Sequence, residues 1–217
     1  MNHERTYDAE SFQADTGVSR ETLERFIAWR RLLAEWSAHT NLVGRATLDD
    51  FWFRHALDSW QLLDLAPPGA NRWADIGAGA GFPGLAIAFG LADRAVPNAR
   101  VTLIESIGKK AAFLRAVLAE TQLTSQAEVL AERVEALDGL PPFDVVTARA
   151  VAPLEKLLGL MAPFVENGAI ALIPKGARHA EELTAARKSW NFEASLHPSR
   201  TSDEAAIIRI ERLTRVR

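Results

Sequence analysis

Three glycines at every second position, Gly77, Gly79 and Gly81, follow the carboxylate of Asp75 and run into Phe82-Pro83-Gly84. Without a Cβ, a glycine backbone can turn sharply and come close to a ligand. Dinucleotide folds use G-x-G-x-x-G at this place, so that a pyrophosphate sits on a helix N-terminus. The spacing here is G-x-G-x-G, which weakens a nicotinamide reading, and such a run alone also fits an ordinary strand-to-helix turn. A second acid shifts the balance. Arg100-Val101-Thr102-Leu103-Ile104-Glu105 is an apolar run ending in a carboxylate. In a doubly wound sheet that acid lies beside the glycine loop, where its two oxygens can accept both hydroxyls of a ribose.

Other polar groups stand where strands should end. Phe143-Asp144-Val145-Val146-Thr147-Ala148-Arg149 leads a strand into an arginine. Arg149 there can hold a carboxylate, a phosphate or a base edge, or form a structural ion pair with Asp144 or a helix carboxylate. Glu132-Arg133-Val134-Glu135 follows another strand and reads on its own as a charged turn. Lys175, after Ala169–Ile173, either touches phosphate or is solvated. In Arg54-His55-Ala56-Leu57-Asp58-Ser59, the pairs Arg54/Asp58 and His55/Ser59 are four apart, so the ordinary expectation is a helical Arg54–Asp58 salt bridge. No second ligand stands at metal spacing to His55, so no metal is expected. A serine hydrolase is unsupported, because there is no G-x-S-x-G elbow.

These groups need a frame. Apolar runs at Trp73–Ile76, Val101–Ile104, Glu128–Leu130, Asp144–Thr147 and Ala169–Ile173 alternate with helical stretches. The clearest of these is Lys109–Thr121, with Ala112, Phe113, Ala116 and Val117 on one face. Such alternation predicts an α/β fold with a parallel sheet covered on both faces. Phe192–Leu196 and Ala206–Ile210, joined without a helix, predict a terminal hairpin. Residues 19 to 65 read as helices. Ser19 is the cap of the first, a break falls at Asn41–Gly44, a second starts near Thr47 or Asp49, and Pro67-Pro68-Gly69 ends it. The expected organisation is a helical extension over residues 1–68 and a ligand-binding domain over 69–217. Most of the six tryptophans sit at helical apolar positions and read as core.

Composition narrows the class. In 217 residues, 48% are hydrophobic, enough for one sizeable core, and the formal net charge is -3, so any nucleic-acid surface must be local. There is no cysteine, which excludes disulfides, thiolate metal sites and cysteine nucleophiles. Met1 to Asp15 is polar and lacks the apolar stretch of a signal peptide, and no run suffices to span a bilayer. A cytoplasmic monomer without a membrane is expected.

Taken in order, these pieces resemble the bacterial 16S ribosomal RNA guanine-N7 methyltransferases, the glucose-inhibited division protein B family. The likeness runs from about Asn41 to Gly176. It rests on Asn41-Leu42-Val43, the R-H-x-x-D-S element at Arg54–Ser59, Asp75 through Gly84, Glu105-Ser106-Ile107-Gly108-Lys109-Lys110, Arg133-Val134-Glu135, Ala148-Arg149-Ala150 and Pro174-Lys175-Gly176. The resemblance implies a class I, Rossmann-like methyltransferase with a mostly parallel seven-stranded sheet, using S-adenosyl-L-methionine and releasing S-adenosyl-L-homocysteine. It further implies methylation of N7 of a guanine, guanine 527 of the small subunit, with 16S rRNA or a small-subunit particle as partner. By the same resemblance, Asp75, Gly77, Gly79, Gly81, Phe82, Val134, Glu135 and Arg149 serve the cofactor, and Glu105 faces its ribose. Lys109, Lys110, Arg133, Lys175 and Asn41 would meet RNA. Arg149, His55 and Asp58 would position the target, with Asn41 beside them. The family usually has leucine where Phe82 stands, and it often carries a basic residue entering the last strand, where this chain has Asp203-Glu204-Ala205-Ala206.

Guanine N7 already carries a lone pair, so the reaction needs alignment and no general base. Two other readings remain open from the residues alone. One is a small-molecule methyltransferase on the same fold, and the other is a non-catalytic RNA-binding or nucleotide-sensing domain.

Overall fold

A computed structural model describes residues 7–216. Two helices open it, α1 (Ala9–Thr16) and α2 (Arg20–Ser37). The Ser19 side chain accepts from the Thr22 N–H, which caps α2 as its sequence predicts. The first helix was not legible. Beside two alanines, Phe12 is its one apolar residue, and that ring is fully buried.

After the break at Asn41–Gly44 the chain is helical to Leu65, but in four windings. These are α3 (Arg45–Asp49), a π-helical stretch (Phe51–Leu57), the single turn α4 (Asp58–Trp60) and a 3-10 turn (Gln61–Leu65). The expected uniform helix is therefore corrected. In the wide π turn, residues four apart no longer stack as they do on an α-helix, and Arg54 does not pair with Asp58.

The remainder alternates. β1 (Arg72–Ile76) leads to α5 (Gly84–Asp93), β2 (Arg100–Ile104) to α6 (Gly108–Glu120), and β3 (Ala127–Leu130) through a short 3-10 turn (Val134–Ala136) to β4 (Val145–Thr147). Then come α7 (Leu154–Glu166), β5 (Ile170–Lys175), α8 (His179–Ala186) and a long hairpin of β6 (Trp190–Ser199) and β7 (Ser202–Arg215). The seven strands order as β3-β2-β1-β4-β5-β7-β6, with β7 antiparallel to both neighbours. Strand order reverses between β1 and β4, and ligands of open α/β sheets bind at the carboxyl ends beside such a point. The buried face of α6 is Ala111, Phe113, Leu114, Val117 and Leu118. Ala112, expected on that face, is exposed.

α5 is buried along nearly its whole length, because it packs on the sheet on one side and under the N-terminal helices on the other. Phe12, Phe26, Trp29, Phe51, Trp52, Trp60 and Phe89 form one aromatic cluster above it, with ring centroids 4.8 to 6.4 Å apart. The hydrophobic core is thus continuous from α1 to the glycine loop. Trp29, Trp52, Trp60, Trp73 and Trp190 are all buried, as their spacing predicts.

This packing predicts that Phe12→Ala destabilises the whole protein by about 3–5 kcal/mol, through a single urea transition. A loss below about 1 kcal/mol, or a separate early transition, would mean that α1 is an appendage.

Candidate active site

Asp75 ends β1 and is 1% exposed. Its Oδ2 accepts from the Gly84 N–H at 2.9 Å and its Oδ1 from the Thr147 hydroxyl at 3.0 Å. One carboxylate thereby joins the end of β1, the first turn of α5 and the end of β4. A Cβ on Gly84 would lie 2.6 Å from Asp75 Oδ2 and 2.2 Å from Leu103, so only glycine allows this approach. Asp75 was expected at the cofactor; in the structure both of its oxygens face inward, and it braces the loop from below. From above, the Trp29 indole donates to the Ala80 carbonyl at 3.0 Å.

Glu105, at the end of β2, is 5% exposed. Its Oε2 accepts from the Gly79 N–H at 2.9 Å and its Oε1 from the Ile107 N–H at 2.7 Å. Each carboxylate oxygen has about two acceptor positions, so capacity for two hydroxyls remains. Gly79 has φ +55, and a Cβ there would meet only Gly77 O at 3.6 Å and Glu105 at 4.0 Å. The missing side chain leaves the front of Glu105 clear, which suits a ribose. A cleft of about 340 Å³ opens beside it, lined by Gly77, Ile104, Glu132, Arg133, Val134 and Glu135 among others.

A larger cleft of about 630 Å³ lies on the other side of the loop after β4. Arg149, His55 and Asp58 line it together. Arg149 Nη2 lies 2.9 Å from His55 Nδ1, and Nη1 lies 3.3 Å from Asp58 Oδ2. The guanidinium also covers the Phe82 ring at 4.7 Å, and His55 stacks on that ring at 5.0 Å. Phe82 is itself 6% exposed, against Trp29 at 4.5 Å, so its ring supports Arg149 and His55 and leaves only backbone for a cofactor. Arginine can only donate, so His55 Nδ1 accepts and its proton sits on Nε2. Burial, followed by the charges of Arg149 and Arg54, lowers the His55 pKa to about 4. The imidazole is neutral at pH 7. The two clefts share Val151 and Ala152 as a wall.

The remaining expected residues fall as follows. Asp144 is not the partner of Arg149; its Oδ2 accepts from the Asn71 and Arg72 N–H groups at the start of β1. The helix carboxylate of Asp58 is the partner. Lys175 lines the larger cleft and is paired there. Its ammonium donates to Glu182 at 2.7 Å and to the Ala152 carbonyl at 3.0 Å. Glu182 in turn accepts from the Leu154 N–H at the head of α7. Asn41 is exposed and lies outside the residues lining either cleft, because the chain has turned away at the end of α2. Lys109 and Lys110 stand in the first turn of α6, where the helix dipole adds to their positive charge. Arg133 is exposed on the rim of the smaller cleft. Sequence reasoning missed Trp29, Thr147, Gln61, Val151, Ser199 and Thr201. Each acts through a contact far along the chain, with no local pattern to mark it.

A seven-stranded sheet of this order, with a glycine loop and an acid at the ends of its first two strands, defines a class I, Rossmann-like methyltransferase. The fold resembles the O-methyltransferase from Bacillus cereus solved with SAH, with a TM-score of 0.58 at 14% identity over 94% of this chain and 99% of that one. A family model described as rRNA small subunit methyltransferase G matches residues 22–206. The chain is 48% identical to the ribosomal RNA small subunit methyltransferase G of Rhodospirillum centenum, over 96% of this chain and 92% of the relative. It is 44% identical to the protein of the same description from Caulobacter vibrioides, over 99% and 96%. The chain belongs to the rRNA small subunit methyltransferase G family.

Two titrations oppose each other here, one buried and one half-buried. Burial pushes the Asp75 pKa up to about 7, against the Thr147 and Gly84 hydrogen bonds and the charge of Arg149. A raised acid favours folding most below about pH 3.9, its unfolded value, and that contribution is lost as pH rises through about 7. A lowered histidine contributes fully above about pH 6.5 and loses that contribution as pH falls through about 4. Between about pH 4 and 6.5 the two slopes oppose. Asp75→Asn is therefore expected to reveal a protein that loses stability on acidification in that range, and His55→Gln one that gains it. Urea midpoints against pH measure this, and parallel profiles for both variants would contradict it.

Proposed function

We propose that the protein transfers a methyl group from S-adenosyl-L-methionine to N7 of a guanine in 16S rRNA, guanine 527 by the family likeness. The observation that carries this reading is the pair of clefts meeting at Val151 and Ala152, with a ribose-type carboxylate on one side and a neutral, base-free polar cluster on the other. Bound S-adenosyl-L-methionine supplies an electrophilic sulfonium methyl.

The residues then have distinct tasks. Glu105 accepts the ribose hydroxyls, and Gly77 and Gly79 leave the backbone close to the ligand. Val134 and Glu135 border the adenine end. Arg149 and His55 present a flat polar face to the base, held by Asp58 and Phe82. No group in that cluster needs to remove a proton, because N7 has none to lose. Alignment supplies most of the rate. Lys109, Lys110 and Arg133 bind phosphates at the rim and set the register of the RNA. The protein acts as a monomer in the cytoplasm; among the described residues no helix is long and apolar enough to cross a membrane.

Transfer of label from S-adenosyl-L-methionine to small-subunit RNA of a strain lacking this protein, with the modified base mapped, tests the reading. One modified guanine in 16S rRNA is expected. Label on a small molecule alone would favour the other methyltransferase reading. Gly79→Val places a branched side chain before Glu105 at a backbone φ of +55 that also strains the loop, so calorimetry should show cofactor binding lost while the urea midpoint falls but a folded baseline remains. Replacing Lys109 and Lys110 together should lower RNA affinity and flatten its salt dependence by roughly one to two units. Cofactor affinity should be unchanged, and RNA binding insensitive to salt would remove the rim from the account.

A further inference from the structure

Asp58 is held far more elaborately than one ion pair requires. Its Oδ2 faces Arg149, while its Oδ1 accepts from Gln61 Nε2 at 2.9 Å, Thr201 Oγ1 at 3.0 Å and Ser199 Oγ at 3.4 Å. Gln61 is 4% exposed, and its orientation is fixed by the turn itself: its Oε1 accepts from the Arg200 N–H at 2.8 Å, which turns Nε2 toward Asp58. Ser199, Arg200 and Thr201 belong to the tight turn between β6 and β7. Ser199, Thr201 and Ser202 line the larger cleft together with Arg149 and His55. The turn is anchored from outside as well, through Arg200 Nη2 on the Asp15 carbonyl at the end of α1.

We propose that Gln61 and Thr201 are positioning residues of the methyl-accepting cleft, which clamp the Asp58 carboxylate through the β6–β7 turn and thereby fix the Arg149 guanidinium against His55 and Phe82. The inference rests on the function proposed above and goes beyond it, in giving the last hairpin a task at the site. A carboxylate that accepts from Gln61 and Thr201 on one oxygen and from Arg149 on the other cannot rotate without losing several charge-assisted hydrogen bonds at once. Arg149 takes its orientation from that fixed anion. An arginine oriented in this way presents its plane to an incoming base. One held by a mobile carboxylate does not, and small misplacements of a positioned group cost rate steeply. The rim lysines lie elsewhere, so loosening the clamp affects alignment and leaves RNA capture intact.

Thr201→Val keeps the shape and removes the hydroxyl, and Thr201→Ser keeps the hydroxyl. With small-subunit RNA as acceptor, Thr201→Val is expected to lower kcat roughly ten-fold, with KM for RNA nearly constant and the urea midpoint close to wild type. Thr201→Ser is expected to restore most of the rate. A second readout needs no turnover. Burial, which Thr201→Val leaves in place, lowers the His55 pKa most, and the charges of Arg149 and Arg54 lower it further; a loosened Arg149 should therefore raise its NMR titration midpoint part of the way from about 4, whereas Thr201→Ser should leave it in place. Equal activity of Thr201→Val and wild type, equal impairment of both variants, or an unmoved His55 titration would each overturn the clamp. If wild-type protein methylates no small-subunit RNA, the proposed function fails, and the His55 titrations still decide the clamp.

Discussion

A single buried carboxylate organises this molecule. Asp75 lies at the end of the central strand and holds the backbone that must turn above it, through Gly84, and the neighbouring strand, through Thr147. The loop that leaves β4 a few residues after Thr147 walls both clefts, through Val151 and Ala152. Were the Asp75 oxygens elsewhere, the glycine loop would lack a floor and the start of α5 would lose its anchor. The arrangement has an energetic cost, since a carboxylate so enclosed resists ionisation, and its pKa of about 7 reflects that. Three polar groups share the burden: a backbone N–H, a hydroxyl, and the more distant positive charge of Arg149. A buried acid satisfied by hydrogen bonds is tolerable where an unsatisfied one is not.

Above the loop the order is carried by aromatic rings. Trp29 binds the Ala80 carbonyl and packs on Phe82, and Phe82 carries both Arg149 and His55 on its face. The helix α2 therefore bears on the cleft through one ring. Leucine at the Phe82 position would fill the space without offering a flat π surface. In this chain the cation rests on an aromatic face, a contact worth about 0.5–2 kcal/mol depending on desolvation.

What the sequence made legible follows from which signals are local. Trp73–Ile76 and Val101–Ile104 are short apolar runs bounded by polar residues, so their strands were readable, as was the acid that ends each. The hairpin was seen as two five-residue pieces, whereas β7 runs from Ser202 to Arg215. Its outer residues are polar and pair by backbone hydrogen bonds, which leave no pattern in side chains. The π winding at Phe51–Leu57 was invisible because seven residues are too few to show its longer period. It redirected Asp58 from Arg54 to Arg149, and with it the reading of the whole R-H-x-x-D-S element. Lys175 looked free because Glu182 lies on the next helix, and only the fold brings the two together.

The turn at Ser199–Thr201 closes on Asp58 across 143 residues of chain. A polypeptide emerging from the ribosome N-terminus first exposes every residue of the smaller cleft, the last being Leu160, before Thr201 exists. Ligand capture and catalytic competence are thus separated in the order of synthesis. The contact that completes the larger cleft is also among those with the greatest loop-closure cost, which places it late in folding. When the last residue around Asp75 has been made, the opposite wall of the larger cleft still lacks its closing turn.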